Sequence, residues 1–168
     1  MNIFAIILIM GSSVALALFF IRKELKHCAG LDDAVRLVEY ISGRAIHFGE
    51  PLSEILEIQN EDARKLIIRL RENFKEQLDN SCEIPDSWET AVNNTFCDVL
   101  EDYECDVLIH FGKNLCRCSH YEIEGLKRKA VSDLEDFRNT AIENKKTKTK
   151  STAAITVSAG VIIVLMFA

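Results

Sequence analysis

Apolar residues recur every three or four positions through the middle of the chain, the interval that draws one apolar stripe along an α-helix. Leu31, Ala34, Val38, Ile41, Ala45 and Phe48 make the first stripe, and Gly49 ends it. Pro51 opens a short helix in which Leu52, Ile55 and Leu56 share a face, because a proline in the first helical turn gives up no hydrogen bond. Ala63, Leu66, Ile67, Leu70, Phe74 and Leu78 predict a long helix from about Glu61 to Asn80, with Arg64, Lys65, Arg69 and Glu72 facing water. A second proline, Pro85, opens the segment Ile84 to Val92, where Trp88, Ala91 and Val92 read as core. Leu100, Tyr103, Val107, Phe111 and Leu115 form the next stripe. Ile123, Leu126, Ala130, Leu134, Phe137 and Ala141 form the last, opened by Ser119-His120-Tyr121-Glu122, the S/T-x-x-E capping box in which hydroxyl and carboxylate each satisfy a backbone N–H. No stretch sustains the period-two alternation of a strand. The expected fold is all-α, a compact bundle of about six helices.

The ends of the chain follow another pattern. Residues 3–21 and 151–168 carry no charged side chain, and a 19-residue helix spans close to the ~30 Å hydrocarbon layer of a bilayer. A cleaved signal peptide is the alternative at the N-terminus, given Ala15-Leu16-Ala17. However, the bases follow the apolar run (Arg22, Lys23, Lys26) instead of preceding it. Lys145, Lys146, Lys148 and Lys150 precede the second run. Basic flanks mark the cytoplasmic side, so both place the middle of the chain there. The expected organisation is an anchor over 1–25, a cytoplasmic helical domain over 26–144, and a basic flank with a C-terminal transmembrane segment over 145–168.

Charge sharpens this picture. All 20 Lys/Arg and all 26 Asp/Glu lie between Arg22 and Lys150. Setting aside the seven flanking bases and Glu24 leaves 13 bases against 25 acids in the middle domain. Such a domain has no positive face for nucleic-acid phosphates. It could dock on a basic protein surface, and Glu101, Asp102, Glu104 and Asp106 form its densest acidic cluster. The six cysteines would suit a disulfide framework in a secreted protein, but in a cytoplasmic domain they should stay reduced. Cys116, Cys118, His120 and His110 are the one cluster with metal-ligand chemistry. A C-x-C step is an awkward chelate for tetrahedral zinc, so the thiols read as packing residues and no metal or cofactor is expected. A membrane-anchored sensor or regulator using this turn for metal or redox sensing is the competing reading.

The chain carries no phosphate loop, dinucleotide fingerprint, H-E-x-x-H or G-x-S-x-G, and its seven glycines are scattered singly. His47 and His110 sit at no spacing that specifies a role. These residues point to no enzyme but to a helical scaffold that binds another protein.

Four segments in order carry a family resemblance: Phe48-Gly49-Glu50-Pro51-Leu52-Ser53-Glu54-Ile55-Leu56, Asp86-Ser87-Trp88-Glu89-Thr90-Ala91-Val92, Leu108-Ile109-His110-Phe111-Gly112-Lys113-Asn114-Leu115, and the long helix running through Lys145. With membrane segments at both ends, this order resembles the stage III sporulation protein AB family of endospore-forming bacteria. Pro51, Leu52, Glu54, Trp88, Ala91, Ser119 and Glu122 are its family-like structural turns. Where the family pattern has a Leu-Gly pair, an Asp cap and a Gln around the start of the last helix, this chain reads Leu115-Cys116, Ser119 and Ile123. The resemblance implies a six-helix fold similar to the cytoplasmic domain of the type II secretion inner-membrane platform protein. It also implies a place in the channel complex between mother cell and forespore, in the mother-cell membrane around the forespore. The implied partners are the complex's other membrane proteins and a secretion-type ATPase, the stage III sporulation protein AA. Self-association into a homo-oligomer is left open.

Overall fold

The computed structural model describes the backbone over residues 3–57, 65–80 and 83–167, and side chains over 18–57, 65–80 and 83–145 together with Gly11 and Ala15. Six helices follow in order: α1 (Ile3–Phe48), α2 (Leu52–Glu57), α3 (Lys65–Asp79), α4 (Ile84–Phe96), α5 (Asp102–Leu115) and α6 (His120–Phe167). The fold is all-α. The expected start of the third helix, near Glu61 and Ala63, lies outside the described residues.

The chain divides into two compact units, one of residues Met1–Cys28 with Asn139–Ala168 and one of Ala29–Arg138. In the first, Leu18, Phe19, Phe20 and Leu25 are exposed, and the Phe19 and Phe20 rings meet edge to face at 6.0 Å. Among the described residues, no helix is long and apolar enough to cross a membrane. The runs 3–21 and 151–168 lie outside the described side chains except at Gly11, Ala15 and residues 18–21, and the side chains of Lys146, Lys148 and Lys150 lie outside them too.

The second unit holds the core. Leu31, Ala34, Leu37, Val38 and Ile41 of α1 are fully buried with Ile55, Leu70, Trp88, Ala91, Val92, Phe96, Leu108 and Leu134. Each helix therefore contributes part of its apolar stripe to one shared interior, the dominant favourable term in folding, although Tyr103 of the α5 stripe is exposed and Val107, Leu126 and Phe137 are only half-buried. Phe48 departs from its stripe. It sits on the last turn of α1 with 66% of its surface exposed, and the Arg44 guanidinium lies 4.6 Å over its ring. Gly49 then adopts φ +67° and returns its N–H to the Ala45 carbonyl at 3.1 Å, a left-handed helix stop open to glycine without steric cost. Arg44 also grips Glu50 with two hydrogen bonds of 2.7 and 2.5 Å, fixing the exit toward α2.

Polar tethers join the helices where the stripes end. Arg71 of α3 donates to the Leu56 and Glu57 carbonyls at the end of α2, at 2.7 and 3.2 Å. Asn73 bonds Thr95 at 2.9 Å, and Arg138 meets Asp32 at 2.9 Å. Two hydroxyls break the pattern, because Ser42 and Ser87 Oγ are buried without a hydrogen-bond partner among the described residues. An orphaned buried hydroxyl costs about 1–3 kcal/mol. Ser42→Ala removes that cost and gains helix propensity, so it should raise stability by about 1 kcal/mol, measured by denaturant unfolding.

Close helix approach is bought at two glycines. A Cβ on Gly30 would stand 2.4 Å from Val99 Cγ1, and one on Gly112 would stand 2.2 Å from Trp88 Nε1. Val99 is half-buried in the turn after α4, and the same methyl would stand 3.2 Å from Cδ2 of the buried Leu100. Gly30→Ala should therefore lower stability by about 1–2 kcal/mol, the clash exceeding the gain in helix propensity, as measured by denaturant unfolding. Gly112 faces a fully buried indole.

Candidate docking surface

The start of α5 is built by two glutamates. Glu101 is the N-cap, with extended backbone (φ −78°, ψ 157°), and Glu104 reaches back to accept the Glu101 N–H at 2.9 Å. This satisfies an amide that the first turn leaves without an intrahelical partner. It also corrects the acidic cluster. Glu104 is only 1% exposed and belongs to the helix cap, whereas Glu101, Asp102 and Asp106 are exposed. The exposed acidic face thus has three members, not four.

Beside it, α5 and α6 form a hairpin through the short connection 116–119. The Tyr103 ring, 55% exposed, packs edge to face on Phe137 at 5.1 Å. Desolvation, followed by the charges of Glu104 and Glu101, raises the Tyr103 pKa above the usual tyrosine value. Farther along lies a groove of about 440 Å³ lined by Val107, Phe111, Leu126 and Ala130, with Asp106, Asp133, Lys129 and Lys113 among its polar wall residues. Lys113 is ion-paired to Glu89 of α4. An apolar cleft bordered by charges suits a protein segment better than a reaction.

Two of the sequence segments interlock underneath. Trp88 is fully buried, and its Nε1–H donates to the Leu108 carbonyl at 2.8 Å. Its ring lies against the Gly112 backbone and meets Phe74 edge to face at 6.4 Å. Ala91 is buried in the same helix. The tryptophan turn is therefore the brace that holds α5, and with it the acidic face, against α4.

A second cavity, of about 330 Å³, joins other turn residues. Gly49, Glu50, Pro51 and Leu52 face Leu115, Cys116, Cys118 and His120 across it, while Glu54 is exposed on α2. Glu50 is already held by Arg44. Among the described residues, no three His, Cys, Asp or Glu side chains gather as metal ligands. The Cys116 thiol is pushed up by burial, with Arg117 pulling less strongly the other way, so the reactive thiolate is disfavoured. Burial also raises Cys105 to about 12. Alkylation of the folded chain at pH 8 should therefore label the exposed Cys97 and spare Cys105 until denaturation, as read by peptide mass mapping.

The last helix starts by a variant of the expected cap. Glu122 accepts from both the Ser119 N–H and the Ser119 hydroxyl, each at 2.8 Å. The hydroxyl thus donates to the carboxylate instead of accepting a backbone N–H. These bonds, the backbone one first, hold the Glu122 pKa below the usual carboxylate range. A depressed folded pKa contributes stability that is present above the unfolded value and lost as pH falls through the folded one. Glu122→Gln should therefore lower stability in the neutral region, where the charged carboxylate contributes, leave the strongly acid end unchanged, and so flatten the acid limb of a stability-versus-pH curve measured by denaturant unfolding.

The sequence model of the family described as stage III sporulation protein AB matches residues 2–168, nearly the whole chain. The chain belongs to the stage III sporulation protein AB family. A solved structure titled "Stage III sporulation protein AB (SpoIIIAB)" aligns with a TM-score of 0.58 at 17% identity, over 73% of this chain and 98% of that one. At that identity the likeness supports the six-helix fold. No curated protein matches the chain. In this member Pro51 immediately precedes α2, Pro85 and Trp88 lie in the opening turns of α4, and Ser119 immediately precedes α6.

Proposed function

We propose that this sporulation protein is a non-enzymatic membrane platform. In this reading it lies in the mother-cell membrane around the forespore, as part of the channel complex between the two cells. Its helical body faces the mother-cell cytoplasm and docks a secretion-type ATPase, the stage III sporulation protein AA. The observation that carries the docking is the exposed trio Glu101, Asp102 and Asp106 beside an apolar groove. The anchoring is supported by the uncharged ends of the chain and by exposed Leu18, Phe19 and Phe20 directly before Arg22 and Lys23. Apolar side chains abutting a basic collar suit a helix leaving a bilayer on its cytoplasmic side.

The test is capture of the purified ATPase by the full chain in lipid nanodiscs, with nucleotide and salt varied. Docking through acidic side chains predicts saturable capture that weakens as ionic strength rises and the screening length falls from ~10 Å at 0.1 M to ~3 Å at 1 M. Lack of capture by a folded chain would refute this reading.

A further inference from the structure

We infer that the groove between α5 and α6 seats an amphipathic helix of a partner protein, with that helix's N-terminal, positively charged turn against Asp106 and Asp133. The inference deepens the docking reading and rests on it only for the premise that this helical body takes a protein partner.

The shape argues for a helix. Val107 and Phe111 are four residues apart on one wall, as are Leu126 and Ala130 on the other. Rows at that spacing are the ridges between which a third helix lays its own side chains. Phe111 and Ala130 are buried in the floor, whereas Val107, Ile109 and Leu126 remain half-buried and offer apolar surface to an occupant.

The charges set its direction. The Tyr103–Phe137 contact fixes the register of the hairpin, so Asp106 and Asp133 lie toward the same end of the groove. Neither makes an ion pair among the described residues, and neither does Lys129 one turn before Asp133. Lys113, paired with Glu89, lies toward the other end. A helix presents partial positive charge at its N-terminus and partial negative charge at its C-terminus. Seated parallel to α5, it meets the two carboxylates with its positive end and runs its negative end past Lys129 toward Lys113. The reverse direction sets the helix's negative end against Asp106 and Asp133.

The probe is a pair of fluorescent amphipathic peptides of identical composition, one with lysines in the first turn and glutamates in the last, the other with these exchanged. Both are titrated against the full chain in nanodiscs of neutral lipid, with empty nanodiscs as control. The lysine-first peptide should bind the chain about tenfold tighter, a difference of ~1.4 kcal/mol. Asp106→Lys with Asp133→Lys should invert the preference, and Val107→Trp, which fills the groove, should abolish binding of both while leaving the helical circular dichroism intact. Equal affinity for the two peptides, no inversion, or no binding by the native chain would overturn the inference. ATPase capture is read separately. Capture that survives Val107→Trp overturns the groove as the docking place and leaves the docking reading intact. Absence of capture by every form, the native chain included, sinks the docking reading, and the peptide preference still decides the groove.

Discussion

Gly112→Ala should destabilise the helical body by about 3 kcal/mol, near the upper end of what overpacking usually costs. The new methyl group would stand 2.2 Å from Nε1, 2.4 Å from Cε2 and 2.5 Å from Cδ1 of Trp88. The indole cannot swing aside, because it is fully buried and its N–H is committed to the Leu108 carbonyl. Helix α5 must instead lift away from α4 along the face that Gly112 leaves open. The propensity gained by replacing a helical glycine, ~1 kcal/mol, offsets only part of this. Because Trp88 is the single tryptophan, its fluorescence reports the event directly during thermal unfolding. The midpoint should fall by on the order of 10 °C for a domain of this size. A double-mutant cycle, followed by helical circular dichroism because it removes the tryptophan, adds a sharper check. Trp88→Ala alone should cost about 3–5 kcal/mol through the cavity it leaves, but in that background Gly112→Ala should cost little, because the ring it collides with is gone. Additive costs would show that the close approach is not what limits position 112.

The second large effect is on binding. Neutralising Glu101, Asp102 and Asp106 together (Glu101→Gln, Asp102→Asn, Asp106→Asn) should weaken ATPase capture at least ~10-fold at low salt. The loss should shrink near ~1 M salt, where screening has already removed the interaction. Glu104 behaves differently because it is buried in the cap. Glu104→Ala orphans the Glu101 N–H and should lower stability by about 1–2 kcal/mol, while folded protein keeps its capture. The separation of the two effects matters more than either alone. Loss of capture on Glu104→Ala in a chain that remains folded would contradict the division of the cluster drawn from the geometry.

The hydrophobic stripes announced the helices because burial and helical period coincide in them. Leu31, Ala34, Val38 and Ile41 are all fully buried, as their spacing requires. Phe48 was in phase with them but lies one turn past the packed part of α1, where phase no longer implies burial. The start of α5 was illegible for another reason. Glutamate is not among the favoured N-cap residues, so Glu101 carried no cap signal. Acids at a helix start can face water or turn back onto the backbone, and only the fold shows that Glu104 does the second. Gly112 lies within a family-like segment, yet its role depends on an indole 24 positions earlier in the chain, a pairing that no local pattern encodes. The groove shares this property, since its walls come from two helices whose register is set by the Tyr103–Phe137 contact.

Hydrogen–deuterium exchange of the full chain in nanodiscs, with and without the sporulation ATPase, tests the central claim most directly. The account predicts that the ATPase slows exchange over residues 101–113 and 126–133, where the acidic face and the groove lie. It predicts no change around 49–52 and 116–120, the lining of the other cavity. Protection confined to that second cavity, or no protection under conditions where the ATPase is captured, would contradict it.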